Sequence, residues 1–169
     1  MKNKRLVFAF SFLLSSLLIN AQEPKIMALY IYNFVRYVEW PVSSQNGNFV
    51  IGIVGESPVS DELEKIIVEK KVNNHAVTLK RFSNPSQITF CHVLFISEKY
   101  CDKDDGVAAN SKNNTLLICE RKGNLSKSSA INFIKQDSKI KFEINKENIK
   151  KSGLYVNNQL EFLASNVTK

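Results

Sequence analysis

Histidine and cysteine are scarce in this sequence, with two histidines and three cysteines among 169 residues. Neither a His-x-x-x-His nor a Cys-x-x-Cys spacing occurs, which argues against a zinc site. His92 directly follows Cys91 in a segment predicted to be a strand, where successive side chains point to opposite faces. The two side chains therefore cannot form a catalytic dyad with each other. His75 lies in a polar turn, where a solvated imidazole is expected.

The six glycines do not form a nucleotide-binding loop. Gly52 and Gly55 come near the end of a predicted strand, but the Gly-x-Gly-x-x-Gly order and the Lys-Ser/Thr of a phosphate-binding loop are missing. A Gly-x-Ser-x-Gly nucleophile motif is missing too. The acidic run at 102–105 lacks the spacing and the closing glutamate of a calcium loop. We therefore predict no catalytic residue, no metal and no cofactor.

After the N-terminus, no segment is apolar and long enough to cross a membrane. Lys2, Lys4 and Arg5 precede an apolar run at 6–19, and small Ala21 follows it. This order is typical of a secretory signal peptide. The run has 14 residues, whereas a membrane-spanning helix needs about 20. We predict a cleaved signal peptide at 1–21 and one periplasmic domain at 22–169, without membrane insertion after cleavage.

The formal net charge is +7, to which the predicted signal peptide contributes three positive charges. The remaining lysines and arginines are spread along the chain and alternate with acidic residues. This pattern is typical of a solvated surface rather than of a nucleic-acid-binding stripe. We expect no nucleic-acid partner.

Apolar segments of strand length alternate with helical segments along the exported part. The predicted strands lie at 49–54, 76–82, 90–96 and 115–119, and most of their residues are apolar. Continuous apolar strands separated by helices are typical of a parallel sheet that is covered on both faces. We predict an α/β fold with a mainly parallel core sheet flanked by helices. The predicted helices lie at 61–70, 103–111, 146–152 and 159–164, with a short strand at 154–156.

The pattern changes after residue 130. Ile140, Phe142 and Ile144 alternate with polar residues, and this period of two predicts a C-terminal antiparallel hairpin over 130–145. Asp137 and Ser138 would form its turn. Ser128 and Ser129 could instead cap a helix at 130–136, so this alternative stays open.

The first helix is predicted at 24–39, with Pro24 in its first turn and Pro41 ending it. Its wide apolar face predicts a helix that is almost enclosed by protein. Aromatic residues are concentrated in and after this helix, where they either fill the core or anchor a partner. As candidate partner contacts we single out Tyr30, Tyr37 and Trp40.

The three cysteines allow one disulfide. If the third and fourth strands are neighbours in a parallel sheet, Cys101 and Cys119 lie at the same carboxyl edge, and Cys91 lies at the opposite end. This predicts a Cys101–Cys119 disulfide, which would contribute about 3 kcal/mol in the chain-entropy picture. The alternative is three unpaired cysteines that pack as small hydrophobic residues.

Five segments, in order, resemble a known family: 29–41 (LYIYNFVRYVEWP), 49–55 (FVIGIVG), 91–96 (CHVLFI), 131–145 (INFI and KFEIN) and 153–160 (GLYVNNQL). Together they resemble the YfiR/HmsC-like family of bacterial periplasmic proteins over nearly the whole exported part. Each segment alone is a weak signal, whereas the ordered set is specific.

The resemblance implies a non-enzymatic regulator. Characterised relatives bind the periplasmic region of an inner-membrane diguanylate cyclase and hold it inactive, and its release raises cyclic-di-GMP and promotes biofilm formation. Relatives are dimers, so a homodimer is a further expectation. Some relatives have cysteines for two disulfides, whereas this chain can form one. The alternative is a binder of a small molecule or envelope ligand, or an enzyme without a recognised motif, that uses the carboxyl ends of the sheet.

Overall fold

Eight strands form one mostly parallel sheet in the computed structural model, which describes residues 22–41, 47–120 and 127–168. From one edge of the sheet to the other, the strands are β10 (Asn166–Thr168), β8 (Lys139–Asn145), β7 (Ile131–Gln136), β6 (Leu116–Cys119), β5 (Val93–Ile96), β2 (Phe49–Val54), β4 (His75–Phe82) and β3 (Lys71–Val72). The predicted signal peptide at 1–21 lies outside the described residues.

The five central strands, β4, β2, β5, β6 and β7, are parallel to one another, which confirms the predicted α/β fold. Phe95 and Ile118 are examples of their side chains, and both are fully buried. β5 and β6 are buried along their whole length, which explains why they are apolar throughout, whereas most of β4 is half-buried or exposed.

β7 and β8 form the predicted antiparallel hairpin, with Phe133 opposite Phe142. Asp137 and Ser138 both have positive φ angles, 50° and 60°, as a two-residue hairpin turn requires. The alternative of a helix at 130–136 is wrong.

Helices cover both faces of the sheet. On one face, α1 (residues 22–34) and α2 (Val59–Ile67) pack into the larger core together with residues of α5 (Lys146–Lys151) and α6 (Asn158–Leu163). On the other face, α3 (Glu98–Cys101) and α4 (Asp104–Asn110) cover a smaller core that contains all three cysteines. A short 3₁₀ helix, Pro85–Gln87, follows β4.

The end of the first helix differs from the prediction. α1 stops at residue 34, and Val38–Glu39 forms a strand, β1, that pairs antiparallel with β9 (Tyr155–Val156). The helical pattern of apolar residues continues to residue 38, but the pairing with a segment over 100 residues away fixes Val38 in an extended conformation. The predicted enclosure of the helix is also wrong, because Ile26 and Leu29 are 37% and 42% exposed.

Two further boundaries affect the histidines. β5 begins at Val93 rather than at residue 90, so His92 precedes the strand. His75 is the first residue of β4 rather than part of the turn. That turn consists of Asn73 and Asn74, which both have positive φ angles and join β3 to β4.

Candidate partner-binding surface

Tyr30 is part of the aromatic core beneath α1. Its half-buried ring lies 5.4 Å from the ring of Phe142 and 5.8 Å from that of Phe34, measured between centroids. Phe133 is the next neighbour, at 6.1 Å. These contacts are of the edge-to-face and offset kinds that stabilise aromatic clusters. Tyr30 therefore helps to attach α1 to the β7–β8 hairpin.

Trp40 is 8% exposed and belongs to the same large core. Its ring stands perpendicular to that of Phe49 at 5.1 Å, at the start of β2. The ring of His92 lies 6.4 Å away. This position gives Trp40 a packing role, because a side chain so deeply buried offers little surface to a partner.

The His92 side chain is a structural element that the sequence analysis missed. It is 3% exposed, and its ring stacks on Phe49 at 4.3 Å. Its Nδ1 accepts a hydrogen bond from Val50 N–H (3.0 Å), while its own backbone N–H donates to the Val50 carbonyl (2.9 Å). The side chain thus takes part in the pairing of β5 with β2 ahead of the strand. A histidine beside aromatic and β-branched residues could have signalled this buried role.

Tyr37 connects the aromatic segment to the C-terminal part of the chain. It is half-buried, and its carbonyl accepts a hydrogen bond from Asn157 N–H (3.0 Å). β1 and β9 pair directly beside this bond, with Glu39 opposite Tyr155. Of the three predicted contacts, Tyr37 is therefore the one shown to adjoin the C-terminal segment.

The C-terminal segment carries a set of exposed apolar side chains that we call the C-terminal apolar surface: Tyr155 on β9, and Phe162 and Leu163 on α6. Their exposed fractions are 67%, 89% and 57%. α6 is anchored by Leu160, which is buried, and by Asn157, whose side chain accepts the Leu160 N–H at 3.1 Å. Nothing in the sequence marks these residues as exposed, because their apolar character is equally typical of a core.

A groove of about 500 Å³ lies between α5, β9 and α6, next to this surface. Ile149, Leu154 and Val156 contribute apolar side chains to its lining. Lys146 and Glu161 also line it and form an ion pair at 2.8 Å, which joins α5 to α6. The surface is therefore an apolar region with a polar rim, as is typical of protein interfaces.

A second groove, of about 900 Å³, lies at the carboxyl ends of β2 and β4. Most of its lining residues are polar, but Arg81 forms ion pairs with Asp61 (3.1 Å) and with Glu64 of the same helix (2.9 Å). Nearby, Glu120 links Ser57, which precedes α2, to the first residue of α3, since it accepts hydrogen bonds from Ser57 Oγ (2.7 Å) and from Glu98 N–H (3.0 Å). These carboxylates are thus engaged in holding the fold.

The profile of the YfiR/HmsC-like family matches residues 24–165. The chain belongs to the YfiR/HmsC-like family. Membership confirms the predicted resemblance and supports a regulatory role in the periplasm, in connection with cyclic-di-GMP signalling. No curated protein matches the chain.

The cysteines of this YfiR/HmsC-like domain are all buried and are present as thiols. The premise of the disulfide prediction is confirmed, because β5 and β6 are parallel neighbours with Ile96 opposite Cys119. Cys101 lies close to the same edge, where its Sγ donates a hydrogen bond to the Ile96 carbonyl at 3.3 Å. The Cys101–Cys119 disulfide itself stays a prediction.

Cys91 lies at the opposite end of β5, as predicted. Burial raises the pKa of its thiol to about 11, against a smaller lowering effect of Lys80. The thiol is therefore neutral at physiological pH, and a neutral thiol is a poor nucleophile.

Within 22–41, 47–120 and 127–168, no group of three or more His, Cys, Asp or Glu side chains is placed to hold a metal ion. Over the same ranges, no helix combines the length and the apolar character that a membrane span needs.

Proposed function

We propose that this domain is a non-enzymatic periplasmic protein that binds and represses an inner-membrane signalling protein, such as a diguanylate cyclase that controls cyclic-di-GMP and biofilm formation. Family membership supports the class of function. The observation that carries the proposal is the C-terminal apolar surface, on which Phe162 is 89% exposed.

Large apolar side chains at such exposure are best explained by a partner that covers them. Burial of one phenylalanine side chain contributes about 2–3 kcal/mol, and Tyr155 and Leu163 would add to this. Aromatic anchors surrounded by polar residues often dominate the energy of an interface. The occupant that fits is the periplasmic segment of the membrane partner.

Of the aromatic residues predicted as contacts, we assign Tyr37 to the margin of this surface, because its backbone carbonyl accepts a hydrogen bond from Asn157 N–H. We assign Tyr30 and Trp40 a supporting role through the core. Substituting them would weaken binding through loss of stability, and such a result would not identify a contact.

Deletion of the gene followed by complementation tests the proposal. Deletion should raise cyclic-di-GMP and surface attachment, and the wild-type gene should restore both to their original levels. Phe162→Glu should fail to restore repression although the protein folds, because a charge replaces the apolar anchor. Val68→Glu is the matched control, since Val68 is also exposed (62%) but lies at the end of α2.

Two outcomes would contradict the proposal. Unchanged cyclic-di-GMP after deletion would reject a diguanylate cyclase as the partner. Full repression by a folded Phe162→Glu variant would reject the C-terminal apolar surface as the contact.

A second candidate function is the binding of a small polar ligand in the groove at the carboxyl ends of β2 and β4. The position of the groove favours this candidate. Open α/β sheets bind ligands at the carboxyl ends of their strands, near the point where the strand order reverses. Thermal shift measurements with envelope metabolites would test it. Stabilisation that Ser57→Ala abolishes would support it, and turnover of a bound compound would overturn the non-enzymatic proposal.

A further inference from the structure

β4 is incompletely covered on the side that faces away from β2. On that side β3 pairs with two of its residues, Ala76 and His75, whereas the pairing with β2 extends from Val77 to Phe82. Beyond β3, no other strand in the described part of the chain pairs with this side of β4. We call residues 77–81 on this side the open edge.

The direction of the backbone groups follows from two hydrogen bonds. The Phe82 carbonyl accepts a hydrogen bond from Gly55 N–H (2.8 Å), so the backbone N–H and C=O groups of the even-numbered residues of β4 point toward β2. Val77 N–H donates a hydrogen bond to the Lys70 carbonyl (3.3 Å) on the other side, so the backbone groups of the odd-numbered residues point away from β2. The N–H and C=O groups of Leu79 and Arg81 thus point away from the sheet, and none of the described residues pairs with them.

A row of unpaired donors and acceptors is a template for a further strand. Such a strand could also cover the neighbouring side chains of Val77 and Leu79, which are half-buried and pack against the larger core. They point to the face that α2 covers, and an added strand would bury them further.

The charge at the open edge indicates which strand would fit. Arg81 is already paired with Asp61 and Glu64. Lys80 is exposed on the opposite face of the strand, where its Nζ donates a hydrogen bond to the neutral Thr89 Oγ1 at 3.2 Å. An incoming strand would therefore meet an uncompensated positive charge on one face and apolar side chains on the other.

We propose that the open edge binds an extended segment of a partner protein in which apolar and acidic residues alternate, and that this segment adds a strand to the sheet. Its apolar residues would cover Val77 and Leu79, and an acidic residue would lie opposite Lys80. A second copy of the same strand fits less well, because the two Lys80 side chains would approach each other on one face. This contact is independent of the C-terminal apolar surface.

A synthetic peptide of alternating valine and glutamate with blocked ends is a suitable probe. Amide hydrogen exchange of the exported domain, measured by NMR, should slow at Leu79 and Arg81 when the peptide is added, and a peptide with proline at its centre should give no protection. Lys80→Glu should weaken binding at least about fivefold, since attraction becomes repulsion. Lys112→Glu, another exposed lysine, is the control and should bind as the wild type does.

Unchanged exchange at Leu79 and Arg81 with millimolar peptide would overturn the proposal, as would equal affinity in the Lys80→Glu variant. Protection of these amides without peptide, together with a dimer in sedimentation, would assign the edge to a second copy instead. Phe162→Glu should bind the peptide normally, so failure of the C-terminal apolar surface and failure of the open edge give different results.

Discussion

His92→Phe should destabilise the fold without impairing regulation. The substitution keeps an aromatic ring against Phe49 but removes Nδ1, which accepts the Val50 N–H at 3.0 Å. A buried donor without its acceptor costs about 1–3 kcal/mol. In a domain of this size, that corresponds to a melting temperature roughly 2–12 °C lower. The backbone hydrogen bond of residue 92 to the Val50 carbonyl should persist, because it does not involve the side chain.

Urea denaturation of the exported domain, followed by circular dichroism, measures this difference directly. His75→Phe is the matched control, because His75 lies half-exposed at the start of β4 and should change the free energy of unfolding by less than about 0.5 kcal/mol. If His92→Phe were as stable as the wild type, the hydrogen bond from Val50 N–H to His92 Nδ1 would not contribute to the free energy of unfolding. If the variant folded but failed to complement a deletion, His92 would have a functional role beyond structure.

Three further results are expected. In oxidised protein, mass spectrometry of non-reduced peptides should show Cys101 and Cys119 linked with the loss of two hydrogens; a Cys91–Cys101 link would refute the strand-edge argument. Because burial raises the pKa of the Cys91 thiol from 9.0 to about 11, its contribution to stability is fully present at neutral pH and is lost as the pH rises from about 9 to about 11; Cys91→Ala should flatten that part of a stability–pH curve. Phe142→Ala should cost about 3–5 kcal/mol because the ring is buried, whereas exposed Phe162→Ala should cost less than about 0.5 kcal/mol; similar losses in chemical denaturation would contradict the assigned burial.

The amino-acid sequence alone determined the elements whose signals are local. The alternation of Ile140, Phe142 and Ile144 predicted the β7–β8 hairpin, because neighbouring side chains on a strand point to opposite faces. Continuous apolar segments predicted the parallel core, since strands covered on both faces need no polar side. The pattern does not give the order of the strands, so the neighbouring positions of β5 and β6, which the disulfide prediction assumed, came from the structure.

The tertiary structure decided what depends on distant partners. Val38 fits a helical pattern, yet it lies in a strand because Val156 is available to pair with it. Trp40 and Phe162 are both large and aromatic, yet one is 8% and the other 89% exposed. Burial is set by whichever elements pack over a residue, and residues of a core can be far apart in the chain. The hydrophobicity of a side chain therefore predicts that it will be covered, but only the fold shows whether its own chain covers it or leaves it exposed.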